Sequence, residues 1–240
     1  MKIPTITGII RRRLLMNYRI DPDVVRPLLP TPLAPKLING YSIAGICLIR
    51  LEEIRPKGLP SFFGISSENS AHRFAVEWKD EEGDTQEGVF VSRRDTNARL
   101  NSLSGGRIFP GEHQHTRFDV EDLGKTVSIR VGNESSSDPL VHLNVSETDE
   151  LPADSLFRTL AESSRFFEAG SIGFSVRPKS CQLEGLHLEV KDWKVSALQT
   201  EFIRSSYFDD RTTFPAGSIQ FDHALLMRDI PHQWHSCSAP

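Results

Sequence analysis

A chain of 240 residues with a formal charge of −4 and a pI near 6.1 lacks the basic surface that a general nucleic-acid or anionic-membrane binder needs. Its apolar residues, 38% of the total and including 14 Phe and 3 Trp, suffice for one large core, so a single domain over residues 1–240 is expected. Three widely spaced cysteines (Cys47, Cys181, Cys237) without CxxC spacing, no apolar run of membrane-spanning length and an N-terminus MKIPTITG without an apolar core predict a soluble, cytoplasmic protein with free thiols.

In chain order, Ile9 to Ile20 has a β-type centre interrupted by Arg11-Arg12-Arg13. Asp21-Pro22 then opens a helix, Pro22 to Leu29, which Pro30 closes. Asn39-Gly40 is a tight-turn signal leading into the long run Tyr41 to Ile54, where Cys47 reads as a small buried residue. Arg55 to Ser66 is a Pro/Gly-broken loop whose Phe62-Phe63 pair suits either a lid or an oligomer contact. Ala71 to Trp78 alternates as a strand, with Arg73 on the face of Ala71, Ala75 and Glu77, and His72 on the face of Phe74, Val76 and Trp78. A turn at Glu81 to Asp84 joins it to a second strand, Glu87 to Val91.

The stretch Glu87 to Val120 is the richest in ionisable groups beside apolar segments, and a site is expected there. Its strand ends on Arg93, Arg94 and Asp95. A short helix follows, with Asp95 or Thr96 as N-cap and Gly105-Gly106 as stop, and then Arg107 and Glu112-His113-Gln114-His115. Arg94 and Asp95 form either a substrate clamp or a salt bridge plus helix cap, with Arg93 on the opposite, solvated face. His113 and His115 share one strand face near Glu112, an arrangement suited to proton transfer. With no third ligand assigned, no metal is expected, and no cofactor either.

Beyond this stretch, strands are expected at Thr126 to Val131 and Leu140 to Val145. A helix over Ser155 to Ala169, stopped by Gly170, carries Leu156, Phe157, Leu160, Phe166 and Phe167 on its apolar stripe. Further strands fall at Ile172 to Val176, Leu186 to Trp193 and Val195 to Ile203, with a last apolar run at Ala224 to Met227. Pro231 to Pro240 reads as a fraying polar tail. Strands outnumber helices throughout, so the class is mainly β (α+β): an antiparallel barrel or sandwich with a few short helices packed outside. GxSxG and phosphate-loop motifs are absent.

Four segments carry a resemblance: RRRLLMNYRIDPDVVRPLLPTPL, Glu68-Asn69-Ser70 leading to Trp78, Val89-Phe90-Val91 leading to Asp95, and Arg107-Ile108-Phe109-Pro110. In this order they resemble the acetoacetate decarboxylase-like superfamily, and most nearly its YqjF-like family. The resemblance implies a cone-shaped antiparallel β-barrel holding a site for a small carboxylate or keto compound, and a homo-oligomer. It places Arg11 as the holder of the substrate carboxylate and Glu68 as the glutamate that orients substrate or transfers protons. Gly111 and Glu112 stand where the decarboxylase carries its two lysines, so Schiff-base chemistry is not expected. Arg73 either contacts the anion or pairs structurally with Glu68 or Glu77. The site expected from residues and resemblance together is Glu68, Arg94, Glu112, His113 and His115 for chemistry, with Arg11, Arg73, Asp95 and Arg107 for binding. The function is then either lyase-like acid–base chemistry on a small keto acid, or ligand binding or assembly without catalysis.

Overall fold

The computed structural model describes residues 4–98, 111–132, 138–177 and 182–240. The chain lays down β1 (Ile6–Ile20), the single-turn helix α1 (Pro22–Val25), β2 (Ala34–Pro35), β3 (Leu37–Ile38), β4 (Tyr41–Pro56), β5 (Ile65–Lys79) and β6 (Thr85–Thr96). There follow β7 (His113–His115), β8 (Phe118–Asp122), β9 (Thr126–Val131), β10 (Val141–Thr148), helix α2 (Leu160–Ala169), β11 (Ile172–Val176), β12 (Leu183–Val190), β13 (Ser196–Ser205) and β14 (Ile219–Cys237).

All these strands belong to one sheet. Seven of them close on themselves in the order β1-β4-β5-β6-β11-β12-β14, because β14 returns to pair with β1. The ring is antiparallel except between β6 and β11. A branch leaves β14 through β13 and continues as β10-β9-β8. Closure removes the unpaired edges that long strands such as β4 and β14 would otherwise present.

The ring has two packed faces. On one, Leu14, Met16, Phe74, Trp78, Phe90 and Phe174 meet Val127, Ile129 and Leu143 of the branch, together with Phe208 and Phe214. On the other, Leu15, Ile43, Cys47, Ala75 and Leu225 are covered by Phe157 and by Phe167 of α2. Burying such a phenylalanine contributes about 1.5–3 kcal/mol, enough to fix a ten-residue helix that would be marginal alone.

Three expectations need correction. The predicted helix over Ser155 to Ala169 begins only at Leu160, with Thr159 as N-cap. The residues before it are held in turns by Asp222, whose carboxylate accepts from Ser155 Oγ at 2.8 Å and Leu156 N at 3.0 Å. The Pro22 helix ends at Val25 and tightens into a 3-10 turn over Arg26–Leu28. The polar tail is strand: β14 runs to Cys237 with His232 and Trp234 buried, an alternation masked by His, Gln and Ser at the intervening positions. The short helix expected after Thr96 lies mostly outside the described residues.

Candidate functional site

Strand register places the polar residues of the α2-covered face in two rows. One row runs Leu225–Leu15–Cys47–Ala71–Arg94–His113 across β14, β1, β4, β5, β6 and β7. The next runs His223–Asn17–Gly45–Arg73–Val91. Arg13 stands two residues from Leu15 on β1, and therefore on the same face. Successive strands are about 4.8 Å apart, so arginines on β1, β5 and β6 can reach a common point beside Cys47.

For Arg13 the contact is direct. Arg13 Nε donates to Cys47 Sγ at 3.4 Å, its Nη1 lies 3.8 Å from Met227 Sδ, and the guanidinium sits 5.6 Å from the Trp193 ring centroid. Burial pulls the Arg73 guanidinium down to about 10, with Cys47 opposing that shift and Arg13 adding to it. Arg94 is likewise lowered to about 10 by burial, again with Cys47 opposing. Arg94 Nε donates to Ser175 Oγ at 3.3 Å. Among the described residues none of these three arginines makes a salt bridge to a carboxylate. A cleft of about 160 Å³ opens at Arg94, lined by Val91, Arg94, Gly111, Glu112, Ser175 and Val176.

Arg73 is only 4% exposed and is held by a polar relay. Its Nη2 donates to Asn17 Oδ1 at 2.8 Å, across the strand carrying Gly45. A Cβ at Gly45 would lie 3.2 Å from Asn17 Oδ1 and 3.5 Å from Arg73 Nη2, so the glycine leaves the space in which they meet. Asn17 Nδ2 lies 3.3 Å from His223 Nε2, and His223 Nδ1 lies 2.6 Å from Asp222 Oδ2. Burial raises the Asp222 carboxyl, but hydrogen bonds from His223, Leu156 and Ser155 outweigh it and hold the group below its ordinary range. Ser163 Oγ lies 2.8 Å from the same His223 Nε2. These are serine–histidine–aspartate distances, yet Ser163 and His223 are 0% exposed, with the rings of Phe157 and Phe167 against the imidazole. The triad has no face open to a substrate and serves to anchor Asn17 and α2.

The arginine triplet divides three ways. The β1–β4 register slips between Ile10 and Arg12, a bulge at Arg11. Arg11 turns to solvent, pairing with Glu52 at 2.9 Å and Asp229 at 2.6 Å, so it is not the buried anion holder expected of it. Arg12, 4% exposed, faces the branch sheet and pairs with Glu68 at 2.8 Å and Asp122 at 3.2 Å. Glu68 is thereby part of an inter-sheet ion network on the face opposite Arg73 and Arg94. Burial raises its pKa, with Arg12 opposing. Arg13 takes the place in the cluster that the resemblance gave to Arg11.

Of the other expected residues, Arg94, His113 and Arg73 come together on one face. His113 neighbours Arg94 on the adjacent strand, and burial with Arg94 nearby lowers its imidazole to about 4, against a hydrogen bond to Gly111. Glu112 lines the cleft but is exposed, as is His115. Asp95 does not pair with Arg94. It is 0% exposed on the opposite face and accepts from Arg93 Nη2 at 2.9 Å, from Ser70 Oγ at 3.2 Å and from Thr116 Oγ1 at 3.2 Å. Arg93, expected in solvent, is its ion partner. It is Thr96, not Asp95, whose hydroxyl accepts from the next turn, from Ala98 N at 3.2 Å. Arg107 lies outside the described residues. Gly111 is buried at φ 85, where a Cβ would stand 2.8 Å from Ser175 Cβ and 3.7 Å from Arg94 Nε. A lysine there would project beside Arg94, and glycine leaves that space to the guanidinium. Among the described residues no group of three His, Cys, Asp or Glu is placed to hold a metal.

Sequence reasoning missed Arg13, Cys47, Asn17 and Gly45. Parity counted outward from Arg73 would have found Cys47 and Gly45 on β4, and Asn17 and Arg13 on β1, once the strand pairing was known.

Comparison with solved structures places the fold. Acetoacetate decarboxylase from Legionella pneumophila superposes with a TM-score of 0.61 at 15% identity, covering 97% of this chain and 87% of its own. An acetoacetate decarboxylase-like enzyme from Sphingomonas wittichii gives 0.61 at 13%, covering 98% and 92%. The enduracididine biosynthesis enzyme MppR, complexed with pyruvate, gives 0.59 at 12%, covering 99% and 90%. No curated protein matches the sequence. The fold is therefore that of the acetoacetate decarboxylase-like proteins. The model of DUF2071, an uncharacterized conserved protein family, matches residues 9–215, and the chain belongs to that family.

Proposed function

We propose that this protein binds a small carboxylate or keto acid at the arginine cluster of β1, β5 and β6. One observation carries the reading: Arg73 and Arg94 are buried or half-buried and lack a carboxylate partner among the described residues, and Arg94 lines a cleft. A guanidinium held out of water without an anion is costly, and a bidentate carboxylate is its natural complement. The Asp222–His223–Asn17 relay fixes Arg73 while leaving its charge for a ligand. Arg94 would contact the anion from the cleft side, and Arg13 would complete the positive field. That MppR takes pyruvate on a similar fold is consistent with the ligand class.

Titration of the purified protein with propionate and pyruvate by calorimetry tests this. Binding of either that weakens at least tenfold in Arg94→Gln supports the site. Heat absent for both, or affinity unchanged in Arg94→Gln, removes it.

A further inference from the structure

One arginine of the cluster donates to a sulfur, and this points beyond binding. Cys47 sits in register between Leu15 and Ala71, so the small methyl of Ala71 is all that separates its row position from Arg94. Arg13 donates to its Sγ at 3.4 Å. Arg73 approaches from the next row, 4% exposed, with its guanidinium 5.0 Å from the Phe167 ring centroid and its Nε without a hydrogen-bond partner. Cys47 is 8% exposed, and the Arg13 guanidinium is the donor that the structure gives its sulfur.

We propose that Cys47 is the nucleophile of this site, adding to the electrophilic carbon of a small 2-oxo acid whose carboxylate lies on Arg73 and Arg94. In this step the sulfur–carbon bond forms, the carbonyl π pair moves to oxygen, and that oxygen takes up the thiol proton. Nothing is oxidised or reduced, and the adduct reverts by the same path. The inference rests on the carboxylate-binding reading above.

The test uses alkylation of the full-length protein with iodoacetate and with iodoacetamide, followed by peptide mass spectrometry. Here sulfur–carbon bond formation expels iodide and the thiol proton passes to solvent. Cys237, half-buried on the opposite face beside Phe174, is the internal reference. Iodoacetamide is intrinsically the faster reagent. The charge cluster should reverse that order at Cys47, with the iodoacetate-to-iodoacetamide rate ratio at least tenfold above that at Cys237. The iodoacetate rate should saturate with concentration, fall with added pyruvate, and drop in Arg94→Gln by a larger factor than the iodoacetamide rate does. Pyruvate should also bind more tightly than propionate to wild type, and no more tightly to Cys47→Ser. An unlabelled Cys47, or a rate ratio matching Cys237, overturns the nucleophile. If propionate binds normally in that case, only this inference fails; if neither acid binds, the parent reading fails with it. Should Cys47→Ser not fold, the labelling of wild type still decides.

Discussion

Alanine at each of the three consecutive arginines should give three different results, and the contrast tests the register of β1. Arg11 is exposed, and its partners Glu52 and Asp229 are solvated, so Arg11→Ala should leave both the urea midpoint and carboxylate affinity as in wild type. Arg12→Ala strands Glu68, 8% exposed, without its main partner. Breaking a buried pair from one side costs about 3–5 kcal/mol, and Arg50 at 3.9 Å from Glu68 takes up part of the load, so about 3 kcal/mol is expected. With a urea slope of about 3 kcal/mol/M, the midpoint falls by about 1 M. The loss should also depend on pH. Burial already raises the folded-state pKa of Glu68, so its ionisation costs stability as pH rises, and removing Arg12 enlarges that cost. The deficit of Arg12→Ala should therefore be greatest near neutrality and shrink below pH 4.5, where the carboxyl is protonated folded or unfolded. Arg13→Ala should fold but lose about 1.5–3 kcal/mol of carboxylate binding, roughly a 10- to 150-fold rise in Kd. Urea unfolding and calorimetry read all three. Arg11→Ala destabilised as much as Arg12→Ala, or Arg13→Ala binding like wild type, would refute the assignment of faces.

Three further substitutions probe the supports of the site. Gly45→Ala brings a Cβ to 2.8 Å from the Met16 carbonyl, so overpacking should cost about 1–3 kcal/mol and displace Arg73 from Asn17, weakening carboxylate binding; unchanged calorimetry would mean the row is looser than its distances imply. His72 is 0% exposed against Tyr207 and Phe208, and burial lowers it to about 3. Its unfolded form takes up a proton first, so stability is full above pH 6.5 and falls at lower pH; His72→Phe should flatten that slope by about 1.4 kcal/mol per pH unit in unfolding measured from pH 6.5 to 4.5. Thr159→Ala removes the hydroxyl that accepts from Glu162 N at 3.1 Å and should cost about 1 kcal/mol by thermal unfolding, with α2 loosening first in hydrogen exchange.

Much of the fold was legible because strand alternation was strong where packing is two-sided: Ala71 to Trp78 and Thr126 to Val131 appear essentially as read, including the opposite faces of Arg73 and His72. The site was half legible for the same reason. Arg73, Arg94 and His113 are odd-parity or register partners on adjacent strands, and local pattern finds them. Arg11 was assigned from the resemblance alone, and a one-residue bulge turns it to solvent; nothing in a run of three arginines marks which one bulges. Asp95 was misread because a carboxylate after a strand suits both a cap and a cross-face ion pair, and only Arg93, two residues back on the same face, decides between them. The last strand was missed because its partners, β1 and β12, lie far away in sequence; its polar composition carries no local sign of them.

The buried charges also explain why two chemically similar sets of residues do different work. Arg12, Glu68, Asp122 and Arg228 form a network in which each guanidinium meets a carboxylate, so it welds the branch sheet to the ring. Across the same strands, Arg13, Arg73 and Arg94 meet sulfur, amide and hydroxyl instead. The carboxylate at the end of the hydrogen-bond chain from Arg73, Asp222, lies two side chains away behind Asn17 and His223, and its own guanidinium neighbour is Arg19 at 4.0 Å. The relay holds the arginine in place, and its guanidinium lies 5.0 Å from the Phe167 ring centroid rather than against a carboxylate. A core built only for stability would have put the carboxylate in contact. Separating charge from countercharge by two hydrogen-bonded side chains costs stability and is the arrangement expected where an incoming anion is to complete the pair.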